Sequence, residues 1–188
     1  MRAVPIRLLF ADALLLDPEA PAPERGSLLV EDGRIVARLA AAAAGPGDAL
    51  RVELGGAGLG PGLIDCHFHG DLVLRAPDDA AEALAAQSAS LVRQGVTAFL
   101  PTTLAWPAAE LAARVERIAA ALADPAAGGW AGAVPLGLHL EGPWIRPEAA
   151  GAQPPAGIRP DGAQGGRALL EPGSGGGGGG PFPPPPGG

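Results

Sequence analysis

The sequence predicts an α/β chain, with a β-rich first third followed by strands that alternate with helices. Three observations lead there. An Asp32-Gly33 pair separates two apolar-rich runs, and such a pair supplies the positive φ angles that a tight hairpin turn needs. Short apolar runs at 63–68, 96–100 and 134–140 are separated by longer stretches rich in helix formers. Strands and helices in that alternation pair in parallel through right-handed crossovers.

In the first sixty residues the strand candidates are 7–16, 27–30, 34–37 and 51–54. The alanine run 40–44 offers a helical turn, which Gly45-Pro46-Gly47 stops. Residues 55–62 read Gly-Gly-Ala-Gly-Leu-Gly-Pro-Gly. A phosphate cradle would continue into Gly-Lys-Ser/Thr and a helix, and neither follows, so the segment reads as a linker at a domain boundary. Asp78 and Asp79 then offer an N-cap for a helix running to Gln94, and Gly95 suits the left-handed position that ends many helices. Pro107 is tolerated at the first position of a second helix. Leu111, Val115, Ile118 and Leu122 recur at spacings of four, three and four, the buried face of that helix. Asp124-Pro125 ends it. The third strand, 134–140, has no helix pattern after it. From 171 to 188, fifteen of eighteen residues are Gly or Pro, too little apolar surface to offset the entropy of ordering. The division expected is therefore 1–60, 61–170 and a disordered tail, 171–188.

Charge and cysteine usage narrow the function. The 188 residues carry a formal net charge of −7, which argues against a general binder of nucleic acid or anionic membrane. A single cysteine, Cys66, excludes an internal disulfide framework and points to a reducing compartment. No apolar run approaches the ~20 residues of a membrane helix, so a cytoplasmic protein is expected.

The chemistry concentrates in two strings. His67-Phe68-His69 sets two imidazoles two residues apart, hence on one face of a strand. Converging neutral imidazoles suit Zn²⁺ or a similar divalent ion; two ordinary histidines at a strand end are the alternative. Asp65, on the same face, either orients an imidazole or is a turn residue. Cys66 faces the other way and is expected to be a small buried hydrophobe. In the third strand His139 and Glu141 share a face, with Leu138 and Leu140 opposite. A carboxylate at a strand's C-terminal end lies where parallel α/β folds build active sites. Glu141 therefore either completes the site begun by His67 and His69 or is a solvated loop carboxylate.

Three strings occur in order: Pro61-Gly-Leu-Ile-Asp-Cys-His-Phe-His-Gly70, Gly95-Val-Thr-Ala-Phe-Leu-Pro-Thr-Thr103 and Gly137-Leu-His-Leu-Glu-Gly-Pro-Trp144. Together they resemble the N-terminal part of the N-acetylglucosamine-6-phosphate deacetylases of the amidohydrolase superfamily. Gly151-Ala-Gln-Pro-Pro-Ala-Gly-Ile-Arg159 continues the likeness. The resemblance implies a (β/α)8 metal-hydrolase barrel, here only its first three βα units, preceded by part of a small β-sandwich. It implies hydrolysis of N-acetylglucosamine 6-phosphate to glucosamine 6-phosphate and acetate, with a divalent metal (zinc first; iron, manganese or cobalt as alternatives) and a homodimer in the complete enzyme. By the same resemblance Glu141, His67 and His69 are the metal residues and Ala152 and Gln153 the substrate contacts. Asp65 and His139 stand behind the ligands. Many family members have histidine where Gln153 stands. No residue matches the family's catalytic aspartate, no histidine follows His139, and a barrel of this type takes ~250 residues. The chain therefore reads as truncated and inactive alone. The alternatives are another amidohydrolase, acting on a cyclic amide or deaminating a base, and a non-catalytic fragment whose Phe182 and following prolines serve as a polyproline ligand.

Overall fold

A computed structural model describes residues 6–70, 80–123 and 130–159. The N-cap aspartates 78 and 79, the Asp124-Pro125 stop and the 171–188 tail lie outside the described residues. The chain divides into two compact units between Pro61 and Gly62.

The first unit is one five-stranded mixed sheet. Its strands are β1 (Arg7–Leu15), β2 (Glu24–Glu31), β3 (Arg34–Leu39), β4 (Leu50–Glu53) and β5 (Gly58–Leu59). The order is β3-β2-β1-β4, with β5 also on β1. Between β2 and β3, Asp32 and Gly33 take φ of 47° and 79° and close a two-residue turn under the Glu31–Arg34 pair. Both central residues have the positive φ that matches a hairpin's twist. β1 carries a bulge between Phe10 and Ala13, where Asp12 takes φ 54°. The fully buried Ser27 supports it: its hydroxyl accepts from the Asp12 N–H at 3.1 Å and donates to the Ala41 carbonyl at 3.2 Å. Leu9, Ala11 and Leu29 form the buried centre. The Gly-rich stretch is more than the linker its composition suggests, because Gly58 and Leu59 pair in parallel with Leu14 and Leu15. The Leu14 and Leu16 N–H groups donate to the Ala57 and Leu59 carbonyls here, and such main-chain bonds leave no mark in apolar patterning. The alanine run makes only a single turn, with the Ala43 N–H on the Ala40 carbonyl.

The second unit is α/β. Its strands β6 (Leu63–Phe68), β7 (Val96–Pro101) and β8 (Val134–Pro135) lie in that order, all parallel. Helices α1 (Ala80–Val92) and α2 (Ala108–Ala123) fall between them in sequence. Gly95, at φ 81°, donates to the Val92 carbonyl just past α1. The Pro107 carbonyl accepts the first bond of α2 from Leu111, one residue earlier than its expected position inside the helix. Leu111, Val115 and Ile118 are buried as their spacing predicts; they join Leu84, Leu91, Val96, Phe99 and Trp106 in one core, with Leu122 packed against it. Phe99 is the largest fully buried side chain and meets the Phe68 ring edge-on at 5.8 Å. Arg114 lies 3.9 Å over the Trp106 ring and pairs with Glu110.

Two expectations need correction. The third strand is regular only at Val134–Pro135. Pro135 gives the ladder no N–H and Gly137 takes φ 154°; beyond them contact with β7 continues through an isolated Thr102–His139 bridge. Cys66 is exposed, not buried. It lies on the edge strand β6, where Leu63 and Ile64 are also exposed, and the ladder shifts register between Asp65 and Phe68. Regular alternation therefore fails at Cys66.

Candidate metal centre

The two histidines stand at the C-terminal end of β6, and Glu141 follows the strand-like segment that bridges β7. Three donor atoms converge: His67 Nε2 lies 3.0 Å from His69 Nε2, His67 Nε2 lies 3.0 Å from Glu141 Oε2, and His69 Nε2 lies 2.9 Å from the same oxygen. This nearly equilateral triangle is the group of residues able to hold a metal among those described. The side chains of His67, His69 and Glu141 are 47 %, 29 % and 30 % exposed, so the triangle is open on one side to solvent or a ligand.

The backbone around the triangle explains how it forms. Asp65 Oδ1 accepts from the His67 main-chain N–H at 3.1 Å, a side-chain turn over two residues that coincides with the register shift in β6. Asp65 thus shapes the backbone before His67 and makes no bond to an imidazole nitrogen. The partner of an imidazole is instead the Thr102 carbonyl, which His69 Nδ1 meets at 3.0 Å. Only a carbonyl's lone pairs are available there, so Nδ1 carries the proton and a neutral His69 presents its Nε2 lone pair to the triangle. His139 does not join the donors; its Nδ1 lies 3.2 Å from Thr102 Oγ1, and its ring meets the His67 ring edge-on at 5.1 Å. On the Glu141 side, the main-chain N–H of Glu141 donates to Thr103 Oγ1 at 3.2 Å. Leu138 and Leu140 pack against the core, and His139 and Glu141 alternate with them.

The donor set fits a divalent ion. An ionised carboxylate only accepts, and so does the Nε2 of neutral His69; two acceptors 2.9 Å apart need a proton or a cation between them. Separations of 2.9–3.0 Å allow bonds of about 2.0–2.2 Å from all three atoms to one ion, at mutual angles of roughly 90°. Two imidazoles and one carboxylate suit zinc, iron, manganese or cobalt.

The two residues assigned to substrate lie further along. Ala152 is exposed, next to a single 3₁₀ turn at Pro155–Gly157. Gln153 accepts from the Ala105 N–H through Oε1 at 2.8 Å, and so ties this loop to the one after β7. Gly157 makes the same junction possible: a Cβ there would meet the Ala105 carbonyl oxygen at 1.7 Å. Thr102 and Thr103, fully buried, are the site residues that sequence reasoning missed. The signal was present in the Pro-Thr-Thr string at the end of β7, where two buried hydroxyls must find partners.

No family model matches the chain. Curated relatives do. An N-acetylgalactosamine-6-phosphate deacetylase of Escherichia coli O157:H7 is 38% identical over 95 residues, 50% of this chain and 24% of its own length. N-acetylglucosamine-6-phosphate deacetylases of Bacillus subtilis and Homo sapiens are 35% and 36% identical over 53% and 58% of this chain. The chain spans about a quarter of the length of these relatives. Among solved structures, an N-acetyl-D-glucosamine-6-phosphate deacetylase from Mycobacterium smegmatis, a D267A mutant in complex with N-acetyl-D-glucosamine-6-phosphate, matches with TM-score 0.63 at 29% identity. That match covers 87% of this chain and 40% of the other. The Pasteurella multocida enzyme, with TM-score 0.66 at 23% identity and covering 82% and 39%, bears on the fold alone. The deacetylase resemblance read from the three strings is thereby borne out.

Proposed function

Taking the chain as a relative of the N-terminal portion of the N-acetylglucosamine-6-phosphate deacetylases, we propose that it carries metal-binding residues of a hydrolase that removes the acetyl group from an N-acetylated hexosamine 6-phosphate. The observation that carries this reading is the triangle of His67 Nε2, His69 Nε2 and Glu141 Oε2, each atom 2.9–3.0 Å from the other two. A divalent ion held by His67, His69 and Glu141 would act as a Lewis acid toward an amide carbonyl and would lower the pKa of water, supplying a nucleophile for hydrolysis. The chain's own residues supply the rest of the account. Glu141 provides the negative charge that favours a cation, and His67 and His69 add neutral nitrogens. The Thr102 carbonyl keeps His69 in the tautomer whose Nε2 is free to bind. Ala152 and Gln153 line the substrate side in this reading, although Gln153 already spends its carbonyl oxygen on Ala105. The 62–159 segment is read as the opening βα units of a barrel, and the first sheet as part of a sandwich.

The glucosamine derivative is the first substrate to test, and the galactosamine epimer is the alternative because an Escherichia coli relative bears that name. The sequence holds three histidines, all placed above, and none is left to complete a larger metal site. The chain is therefore read as inactive by itself. The test loads the full chain with Zn²⁺ and follows acetate release from both sugar phosphates by proton NMR. Metal uptake without acetate is expected. Sustained acetate release would overturn the inactivity and support the reaction, whereas a chain that takes up no metal would overturn the site.

A further inference from the structure

Thr102, directly after β7, makes five hydrogen-bonding contacts beside the three donors. Its carbonyl takes the His69 Nδ1–H at 3.0 Å, and its main-chain N–H donates to the Phe68 carbonyl at 2.9 Å. Its hydroxyl lies 3.0 Å from the Phe68 N–H, 3.0 Å from the Leu100 carbonyl and 3.2 Å from His139 Nδ1. A hydroxyl has one proton and two lone pairs. All three contacts are satisfied together only if the proton goes to Leu100 and the lone pairs accept from Phe68 N–H and His139 Nδ1–H. That assignment fixes the His139 tautomer. It also fixes the ring that stands edge-on to His67 at 5.1 Å and 80°. Phe68, pinned on both its N–H and its carbonyl, is the residue between the two candidate ligands.

We propose that Thr102 is the positioning residue of the metal centre, orienting His69 through its carbonyl and His67 through the His139 ring and the Phe68 backbone. This rests on the metal reading above. Ordered partners behind a ligand keep its lone pair aimed without cost at the moment of binding, and their removal weakens metal affinity by about 10–100-fold. Thr102 is fully buried, so water cannot replace its hydroxyl.

The test measures Zn²⁺ affinity of the full chain by competition with a chromophoric chelator, for the unaltered chain and for Thr102→Val, Thr102→Ser, His139→Leu, Thr97→Val and Glu141→Gln. Thr97 is a control, because its hydroxyl joins β6 to β7 through the Leu63 carbonyl, far along the strands from the donors. Thr102→Val is expected to bind ~10–100-fold more weakly. Thr102→Ser keeps the hydroxyl and stays within about threefold, as does Thr97→Val, while His139→Leu falls by roughly 3–10-fold. The Co²⁺-loaded Thr102→Val chain should also shift its visible absorption, and Thr97→Val should not. If Glu141→Gln loses affinity but Thr102→Val keeps it, the metal reading stands and the role of Thr102 is overturned. If Thr102→Ser is as weak as Thr102→Val, the hydroxyl is not the cause and the proposal falls. If the unaltered chain binds no better than Glu141→Gln, the metal reading itself fails and takes the proposal with it. Should circular dichroism show Thr102→Val unfolded, His139→Leu decides: unchanged affinity there overturns the proposal.

Discussion

His67 and Glu141, 74 positions apart, bring Nε2 and Oε2 within 3.0 Å. The histidine pair stands at the end of β6, Thr102 and Thr103 directly follow β7, and the bridge from Thr102 to His139 draws the next segment alongside. Parallel pairing puts all these C-terminal ends on one edge of the sheet, and the carboxylate and imidazoles meet there. The site is thus a consequence of strand direction.

Loading the site should stabilise the fold that builds it. A ligand bound by the native state alone adds about 2.7 kcal/mol at a hundredfold excess over Kd. Thermal melts with 100-fold excess Zn²⁺ and with EDTA should therefore differ by several degrees, and the difference should vanish in His69→Ala.

Phe99 anchors the second unit. It is fully buried between the strands and helices and meets Phe68 edge-on. Phe99→Ala is expected to cost about 3–5 kcal/mol, measured as a loss of melting temperature and of urea midpoint. Phe99→Leu should cost less than half of that.

Gln153 holds the Ala105 N–H, and Ala105 is fully buried. Truncation to alanine would leave a buried donor unpaired, at about 1–3 kcal/mol. Gln153→Ala should lower stability by that amount in urea unfolding while Zn²⁺ affinity stays unchanged. A large loss of affinity would instead tie Gln153 to the metal.

The Asp32-Gly33 turn should be equally sensitive to backbone shape. Gly33 sits at φ 79°, where a β-carbon costs about 1–2 kcal/mol. Gly33→Val should destabilise by that amount or slightly more, read from the urea midpoint, whereas Asp32→Asn should be nearly neutral because asparagine tolerates the same region.

These elements differ in how far the sequence announces them. The hairpin is legible because only a few residue types accept its φ angles, and the buried face of α2 because Leu111, Val115 and Ile118 keep helical spacing. The candidate donors are legible because imidazoles two apart on a strand share a face, and the register shift between Asp65 and Phe68 does not keep their donor atoms apart. What stayed hidden is held by bonds without periodicity. Gly58 and Leu59 join the first sheet through main-chain groups. Pro135 and Gly137 break a run whose hydropathy is continuous. Cys66 lies exposed in a stretch where the ladder shifts register between Asp65 and Phe68, which no local pattern encodes. Thr102 and Thr103 act through hydroxyls and a carbonyl on residues distant in sequence, and of the two roles open to Asp65 the turn residue is the one its bond to the His67 N–H supports.

The most direct test of the account is the stoichiometry and affinity of divalent metal on this chain, read from the visible spectrum during Co²⁺ titration of the unaltered protein, His67→Ala, His69→Ala and Glu141→Gln. The account predicts one ion per chain and a loss of at least about 100-fold in affinity for each variant, since each removes one of three donors. Equal binding by the unaltered chain and the three variants, or no binding by any of them, would contradict it.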